Sequence, residues 1–113
     1  MKYPKEYLDE IKTRLKVSTV VSKSVKLKKR GKEFVGLSPF KTEKTPSFTV
    51  NDEKGFYHCF STAEHGNIFD FIMKTQNLKF GEAVKYLANL AGMQPYTFSK
   101  KDDEREKQWN EYS

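Results

Sequence analysis

The first part of the chain changes from a helical to a stranded pattern of apolar positions. Behind Pro4, which suits a first helical turn, apolar residues recur at helical spacing: Tyr7, Leu8, Ile11 and Leu15. Ser18 is a candidate N-cap for a second short helix. From Val25 onward the period is two, and Gly31 marks a turn before the alternation returns. This pattern predicts a β-hairpin with one apolar face and one lysine-rich face.

The second part of the chain runs from strands back to helices. Residues 47–50 and 56–60 flank a turn-forming segment and predict a second hairpin. Asn67 is a credible cap for a helix over 68–76. A further helix covers 80–91, and its expected inward residues are Phe80, Val84, Leu87 and Ala91. The order predicts an α+β fold, an antiparallel sheet with packed N- and C-terminal helices.

The composition fits one polar domain with a charged extension. The chain has 113 residues, of which 32% are charged and 14% aromatic. Beyond Pro95 it is strongly charged, and Trp109 and Tyr112 are exceptions there. We therefore assign residues 1–95 to the domain and residues 96–113 to a linker.

The sequence also limits the compartment. No apolar run approaches the roughly 18 residues that span a membrane, and the N-terminus lacks the apolar core of a secretory signal. The single cysteine cannot form an internal disulfide. We expect a cytoplasmic protein without a membrane partner.

Positive charge is concentrated in one segment of the chain. The net charge is +6, and residues 23–32 contain six basic side chains and no acidic one. A concentrated basic stripe is typical of a protein with a polyanionic partner, nucleic acid above all.

Two motifs carry a resemblance to a known family. The chain reads EKTPSFTV at 43–50 and FYHCF at 56–60, preceded by KKRG at 28–31 and followed by Gly66-Asn67. In this order they resemble the N-terminal zinc-binding domain of bacterial DNA primases, over roughly residues 4–93. The resemblance implies a zinc-ribbon fold that binds single-stranded DNA template and regulates RNA primer initiation.

The same resemblance implies that catalysis lies elsewhere. In the family, a linker joins this domain to an RNA polymerase domain, which holds the metal-binding carboxylates and their Mg²⁺ and acts in cis or in trans. A third domain docks on the replicative helicase. This chain would then be part of a nucleotidyltransferase and have no catalytic residues of its own.

The expected zinc ligands are mostly replaced. The family pattern is Cys-Pro-Phe-His at 38–41 and Cys-Phe-Gly-Cys-Gly at 59–63, whereas the ligand positions here are Ser38, Lys41, Cys59 and Thr62. Tetrahedral zinc needs four good donors, and the thiol is the one present. We expect no metal in this domain, and an ion pair from Lys41 to Glu64 or Glu43. A rearranged site of Cys59, His65 and Glu64 stays open as an alternative. Phe40 and Phe60 are expected to supply the core beneath the site.

The resemblance and the charge pattern together give the candidate DNA contacts. The phosphate candidates are Lys28, Lys29, Arg30, Lys32, Lys44 and Lys54, and the neighbouring aromatic side chains are Phe34, Phe48, Tyr57 and His58. Since adjacent strand residues face opposite ways, Tyr57 or His58 must point to the core. Thr45 and Ser47 either donate to phosphate or cap the turn at Pro46.

Two alternative functions compete with template binding. A domain that has lost its zinc would also be compatible with a protein–protein module that docks on the polymerase domain or the helicase. The retained basic stripe argues against this alternative, because a docking surface does not need it. A self-contained enzyme has no support, since no nucleophile with a base and no phosphate-binding loop is present.

Overall fold

The computed structural model describes residues 3–97 of the chain. The predicted linker falls almost entirely outside them, as do Trp109 and Tyr112. In chain order, the elements are helices α1 (Lys5–Arg14) and α2 (Val17–Val21), strands β1 (Lys28–Arg30), β2 (Glu33–Gly36), β3 (Phe48–Asn51), β4 (Phe56–Cys59) and β5 (His65–Gly66), and helices α3 (Ile68–Gln76) and α4 (Phe80–Leu90). Among these, no helix is both long and apolar enough to cross a bilayer.

The five strands form one antiparallel sheet in the order of the sequence, β1 to β5. Gly31 and Gly55 adopt positive φ in the two hairpin turns, at 64° and 74°, where a side chain would be strained. The helices bury their apolar residues against one face of the sheet, and this layer is the core. The α+β fold predicted from the sequence is therefore confirmed.

The third helix begins as its sequence predicts. The Asn67 side chain accepts hydrogen bonds from the amides of Phe69 and Asp70, and the Asp70 carboxylate accepts one from the Asn67 amide. This reciprocal capping box satisfies amide groups that a helix start otherwise leaves without partners. It fixes the point where the chain leaves β5 and turns into α3.

The start of the second helix differs from the prediction. Lys16 occupies the N-cap position, and Ser18 lies inside the first turn. The Ser18 amide and hydroxyl both donate to the Asp52 carboxylate, at 2.8 and 2.6 Å. Ser18 thus ties α2 to the β3–β4 turn instead of capping its own helix.

Two aromatic residues expected in the core are exposed. Phe60 follows the last residue of β4, and 69% of its surface is accessible. Phe80 is 41% accessible because it begins α4, although its ring contacts the Phe69 ring. On α4, the buried positions are Ala83, Val84, Leu87 and Ala88.

Candidate nucleic-acid interface

The face of the sheet opposite the helices carries the candidate interface. Because paired residues in neighbouring strands share a face, the strand register places one cross-strand row on it: Lys28, Val35, Thr49, His58 and His65. Arg30 and Glu33 form a second row, with Asn51 and Phe56 in line on β3 and β4. We call this surface the open face.

Aromatic rings on the open face are accessible to a ligand. Phe56 is 54% exposed, and the Phe60 ring lies 4.4 Å from the His58 ring, centroid to centroid. The rings of His58 and His65 are nearly parallel, with centroids 6.2 Å apart. These groups line a shallow groove of about 340 Å³, with Lys54 at its rim. Flat rings beside cations are the elements that stack unpaired bases and neutralise phosphates.

The basic side chains around this face form no ion pair among the described residues, although Glu33 lies opposite Arg30 in the register. In residues 3–97, the one ion pair is Arg14–Glu10 on α1. Lys28 and Arg30 lie in the rows of the open face, and Lys32 is exposed in the β1–β2 turn. Such cations are available to an external polyanion.

Three predicted contacts face the other way. Phe34, Phe48 and Tyr57 lie on the core face of the sheet, and Phe48 and Tyr57 are 0% and 1% exposed. The rings of Phe48 and Tyr57 are covered and cannot stack on a base in this arrangement, and Phe34 is half-buried against the same core. Lys29 pairs with Phe34 and belongs to the same row, although its position on the edge strand leaves it exposed. Of the neighbours Tyr57 and His58, the second faces outward.

The loop before β3 holds the remaining candidates. Lys44 and Thr45 are exposed. Ser47 is half-buried, and its hydroxyl donates to the Glu43 carboxylate, with oxygen–oxygen distances of 2.6 and 2.8 Å. Of its two predicted roles, Ser47 therefore has the turn-closing one in this structure.

Four residues on or beside the open face were not predicted from the sequence: Thr49, Phe56, Phe60 and His65. The alternation of β4 groups Phe56 with Phe60 but does not tell which of the two faces of the strand points outward. Phe56, His58 and Phe60 are two apart, and Tyr57 and Cys59 lie between them on the core face. His65 depends on the short strand β5, which its sequence does not indicate.

The hydroxyl of Tyr57 is not expected to stabilise the fold. It is buried without a hydrogen-bond partner among the described residues, and burial, followed by the charges of Asp70 and Glu64, raises the pKa of Tyr57. An unsatisfied buried hydroxyl costs about 1–3 kcal/mol. Tyr57→Phe should therefore leave the free energy of unfolding unchanged or raise it in urea titrations. A loss above about 1 kcal/mol would show that the hydroxyl is hydrogen-bonded in solution.

Two turns at one end of the sheet correspond to the knuckles of a zinc ribbon. Knuckle 1 comprises residues 38–41 and knuckle 2 comprises residues 59–62. The Ser38 hydroxyl lies 3.1 Å from Cys59 Sγ, so the knuckles face each other. Ala63, where the family has glycine, keeps the left-handed conformation at φ 64° that a β-carbon disfavours. The second knuckle turn therefore contains a left-handed residue although a β-carbon is present there.

The donor set between the knuckles does not fit zinc. The four positions offer two hydroxyls, an ammonium and one thiol, and only the thiol is a usual zinc ligand. In the described part of the chain, no three His, Cys, Asp or Glu residues are close enough to hold a metal ion. His65 lies on the open face and Cys59 on the core face, so the rearranged site with Glu64 is not formed.

The expected ion pair of Lys41 is also absent from residues 3–97. Glu43 accepts hydrogen bonds from Ser38 and Ser47 instead, and Glu64 is contacted by the Thr62 hydroxyl at 3.4 Å. The Lys41 side chain is exposed. Solvation of the ammonium is preferred because an exposed ion pair contributes little.

Hydrogen bonding alters two acid groups beside the knuckles. Desolvation raises the pKa of the Cys59 thiol, but hydrogen bonds with Ser38, Ser61 and Thr62 outweigh it and lower the pKa to about 6. The Ser47 hydroxyl, followed by the Ser38 amide, lowers the pKa of Glu43. Glu43 therefore favours its charged form, as the acceptor for the surrounding hydroxyl and amide donors.

The fold and the paired knuckles define a zinc-ribbon-like domain. A sequence profile described as "CHC2 zinc finger" matches residues 3–104. The chain belongs to this family.

Comparison with individual proteins agrees with this assignment. DNA primases of Haemophilus influenzae and Lactococcus lactis are 44% and 41% identical to it over 82% and 90% of this chain, and each match covers 16% of the relative. A crystal structure of the Aquifex aeolicus primase, with its zinc-binding and RNA polymerase domains, superimposes with a TM-score of 0.75 at 26% identity. That match covers 85% of this chain and 24% of the other. The chain thus spans about one sixth of the curated relatives.

Proposed function

We propose that this domain binds single-stranded DNA template on the open face and thereby regulates RNA primer initiation during DNA replication. The observation that carries the proposal is the combination of exposed rings and unpaired cations on one face of the sheet. Phe56, His58 and Phe60 offer stacking surfaces, and Lys28 and Arg30 lie in the neighbouring rows. Single-strand binding without a deep pocket uses these two elements.

We further propose that the domain functions without zinc. The support is the donor set at the knuckles, where Cys59 is the one usual zinc ligand. Unchanged thermal unfolding after incubation with a chelator is the expected result. Stoichiometric zinc in the purified protein would contradict it.

The wider activity belongs to the rest of a longer protein in this proposal. A polymerase domain, in cis or in trans, would carry the catalytic carboxylates and Mg²⁺, and residues 96–113 would lead toward it. A separate domain would contact the replicative helicase in the cytoplasm. The present domain would supply template binding and no catalytic residue.

A titration with single-stranded DNA tests the proposal most directly. Amide chemical shifts of the whole chain are followed while a short oligothymidine is added at two salt concentrations. We expect shifts concentrated in β1, β4 and the loop at Lys44, and weaker binding at the higher salt. If no amide shifts at low salt, template binding fails. Shifts induced instead by an isolated polymerase domain would favour the docking alternative.

Removal of two interface cations should change the salt dependence. Each phosphate contact to a single strand contributes about 0.7 to the slope of log K against log salt. The double variant Lys28→Ala and Arg30→Ala should therefore bind more weakly, with a slope shallower by about 1.4. The matched control replaces Lys5 and Lys85, exposed on α1 and α4. Equal losses in both double variants would mean that binding follows net charge and not this face.

A further inference from the structure

We propose that a hydrogen-bond network centred on Glu43 takes the place of the metal in joining the two knuckles and positions the loop that carries Lys44 and Thr45. The inference concerns this chain's own residues, because Ser38 and Ser61 stand where the family has cysteine and glycine. The effect of the network on DNA affinity rests on the proposed function, whereas the joining of the two knuckles does not.

The Glu43 carboxylate holds three donors from two segments. Its Oε2 accepts from the amide of Ser38 at 2.9 Å, in knuckle 1, and from the amide of Ser47 at 3.1 Å. The Ser47 hydroxyl lies within 2.8 Å of both carboxylate oxygens. Glu43 therefore ties knuckle 1 to the start of β3.

The network continues from Ser47 into knuckle 2. The Ser47 hydroxyl lies 2.9 Å from the hydroxyl of Ser61, which is itself 3.3 Å from Cys59 Sγ. The sulfur also lies 3.1 Å from the Ser38 hydroxyl, which accepts from the amide of Phe40. A closed path of polar contacts thus links the two knuckles through the carboxylate.

The distances indicate that the knuckles meet directly. Two donors on one tetrahedral zinc ion, with bonds of about 2.0–2.3 Å, would be about 3.3–3.8 Å apart. The Ser38 oxygen and the Cys59 sulfur are closer than that, at 3.1 Å. The contact between the two side chains replaces the two bonds that a shared metal would make.

Glu43 also closes the loop that bears proposed phosphate contacts. Its hydrogen bonds to Ser47 span the exposed residues Lys44 and Thr45. In Glu43→Gln, one carboxylate oxygen becomes an amide NH2 group. This group donates and cannot accept, so it would face donors that Glu43 now accepts from. The loop would lose its closure while Lys44 and Thr45 stay chemically intact, so Glu43 is a positioning residue.

The test compares Glu43→Gln with Glu6→Gln, an exposed carboxylate in the first turn of α1 that removes the same charge. We expect Glu43→Gln to shift the amide resonances of Ser38 and Ser47 and to raise the unfolding equilibrium constant about 10- to 100-fold. Glu6→Gln should change it less than about 5-fold, because the helix dipole interacts only weakly with an exposed first-turn carboxylate. Similar effects of both variants would overturn the network. Ser61→Ala serves if Glu43→Gln does not fold, and unchanged amide shifts at Ser47 in it would also overturn the network.

A variant in which the family's zinc ligands are restored tests whether the network stands in for the metal. The triple variant Ser38→Cys, Lys41→His and Thr62→Cys should bind cobalt(II) with thiolate charge-transfer absorption, and zinc should then reduce the effect of Glu43→Gln. Cobalt binding by the unmodified chain, or none by the triple variant, would overturn the proposal. If the unmodified chain does not bind DNA but Glu43→Gln shifts both knuckles, the network stands and the proposed function fails.

Discussion

Replacement of Phe48 by alanine should lower the free energy of unfolding by about 3–5 kcal/mol, the range for a large aromatic side chain in a core. Phe48 is fully buried, and its ring lies 5.4 Å from the Tyr57 ring and 6.0 Å from the Phe71 ring, between centroids. The ring of Phe40 covers the same cluster. The cavity left by the substitution cannot be closed by one neighbour, because the sheet and α3 both line it.

Urea unfolding followed by far-ultraviolet circular dichroism measures this loss. Phe60→Ala is the matched control, since it removes the same ring from an exposed position. A destabilisation by Phe48→Ala of less than about 1 kcal/mol would show that Phe48 is not in the core. In buffer without denaturant, under conditions where Phe48→Ala stays folded, its DNA affinity should equal that of the unmodified chain.

Phe60→Ala should lower the DNA affinity without lowering the stability of the fold. We expect an unchanged free energy of unfolding and a loss of single-stranded DNA affinity of about 5- to 150-fold, the equivalent of about 1–3 kcal/mol for one stacked base. The reason is the position of the ring, 69% exposed and beside His58 on the open face.

Fluorescence anisotropy with a labelled oligothymidine measures that affinity. Tyr86→Ala provides the control, because Tyr86 is an exposed aromatic residue on α4, away from the sheet. Should Tyr86→Ala weaken binding as much as Phe60→Ala, the open face would have no special role. If Phe60→Ala lowered the free energy of unfolding but left the DNA affinity unchanged, Phe60 would belong to the core and not to the open face.

The substitutions at the knuckles change what stabilises the fold. Structural zinc contributes an apparent 10–16 kcal/mol or so in finger peptides, whereas one ordinary hydrogen bond contributes about 1 kcal/mol. The contact of Ser38 with Cys59 cannot match a metal ion. The aromatic cluster of Phe40, Phe48, Tyr57 and Phe71 is the larger source of stability beside the site, since each buried large side chain contributes roughly 1.5–3 kcal/mol.

Several features of the site were predictable from local patterns. The capping residue Asn67, the antiparallel hairpins and the basic strand β1 follow from short-range rules, since each depends on residues within a few positions. The loss of good zinc donors was visible in the residue types alone. Which of Tyr57 and His58 faces outward was not, because either register was compatible with the alternation.

By itself, the sequence determined the fold class, the basic stripe and the replacement of the family's ligands. These properties depend on hydrophobic period, charge and side-chain chemistry, which are local. Only the tertiary structure decided that Phe48 and Tyr57 lie in the core, that Phe60 and His65 join the open face, and that Glu43 links the knuckles. Strand register and the helix layer make those choices, because they bring together residues that are distant in the chain.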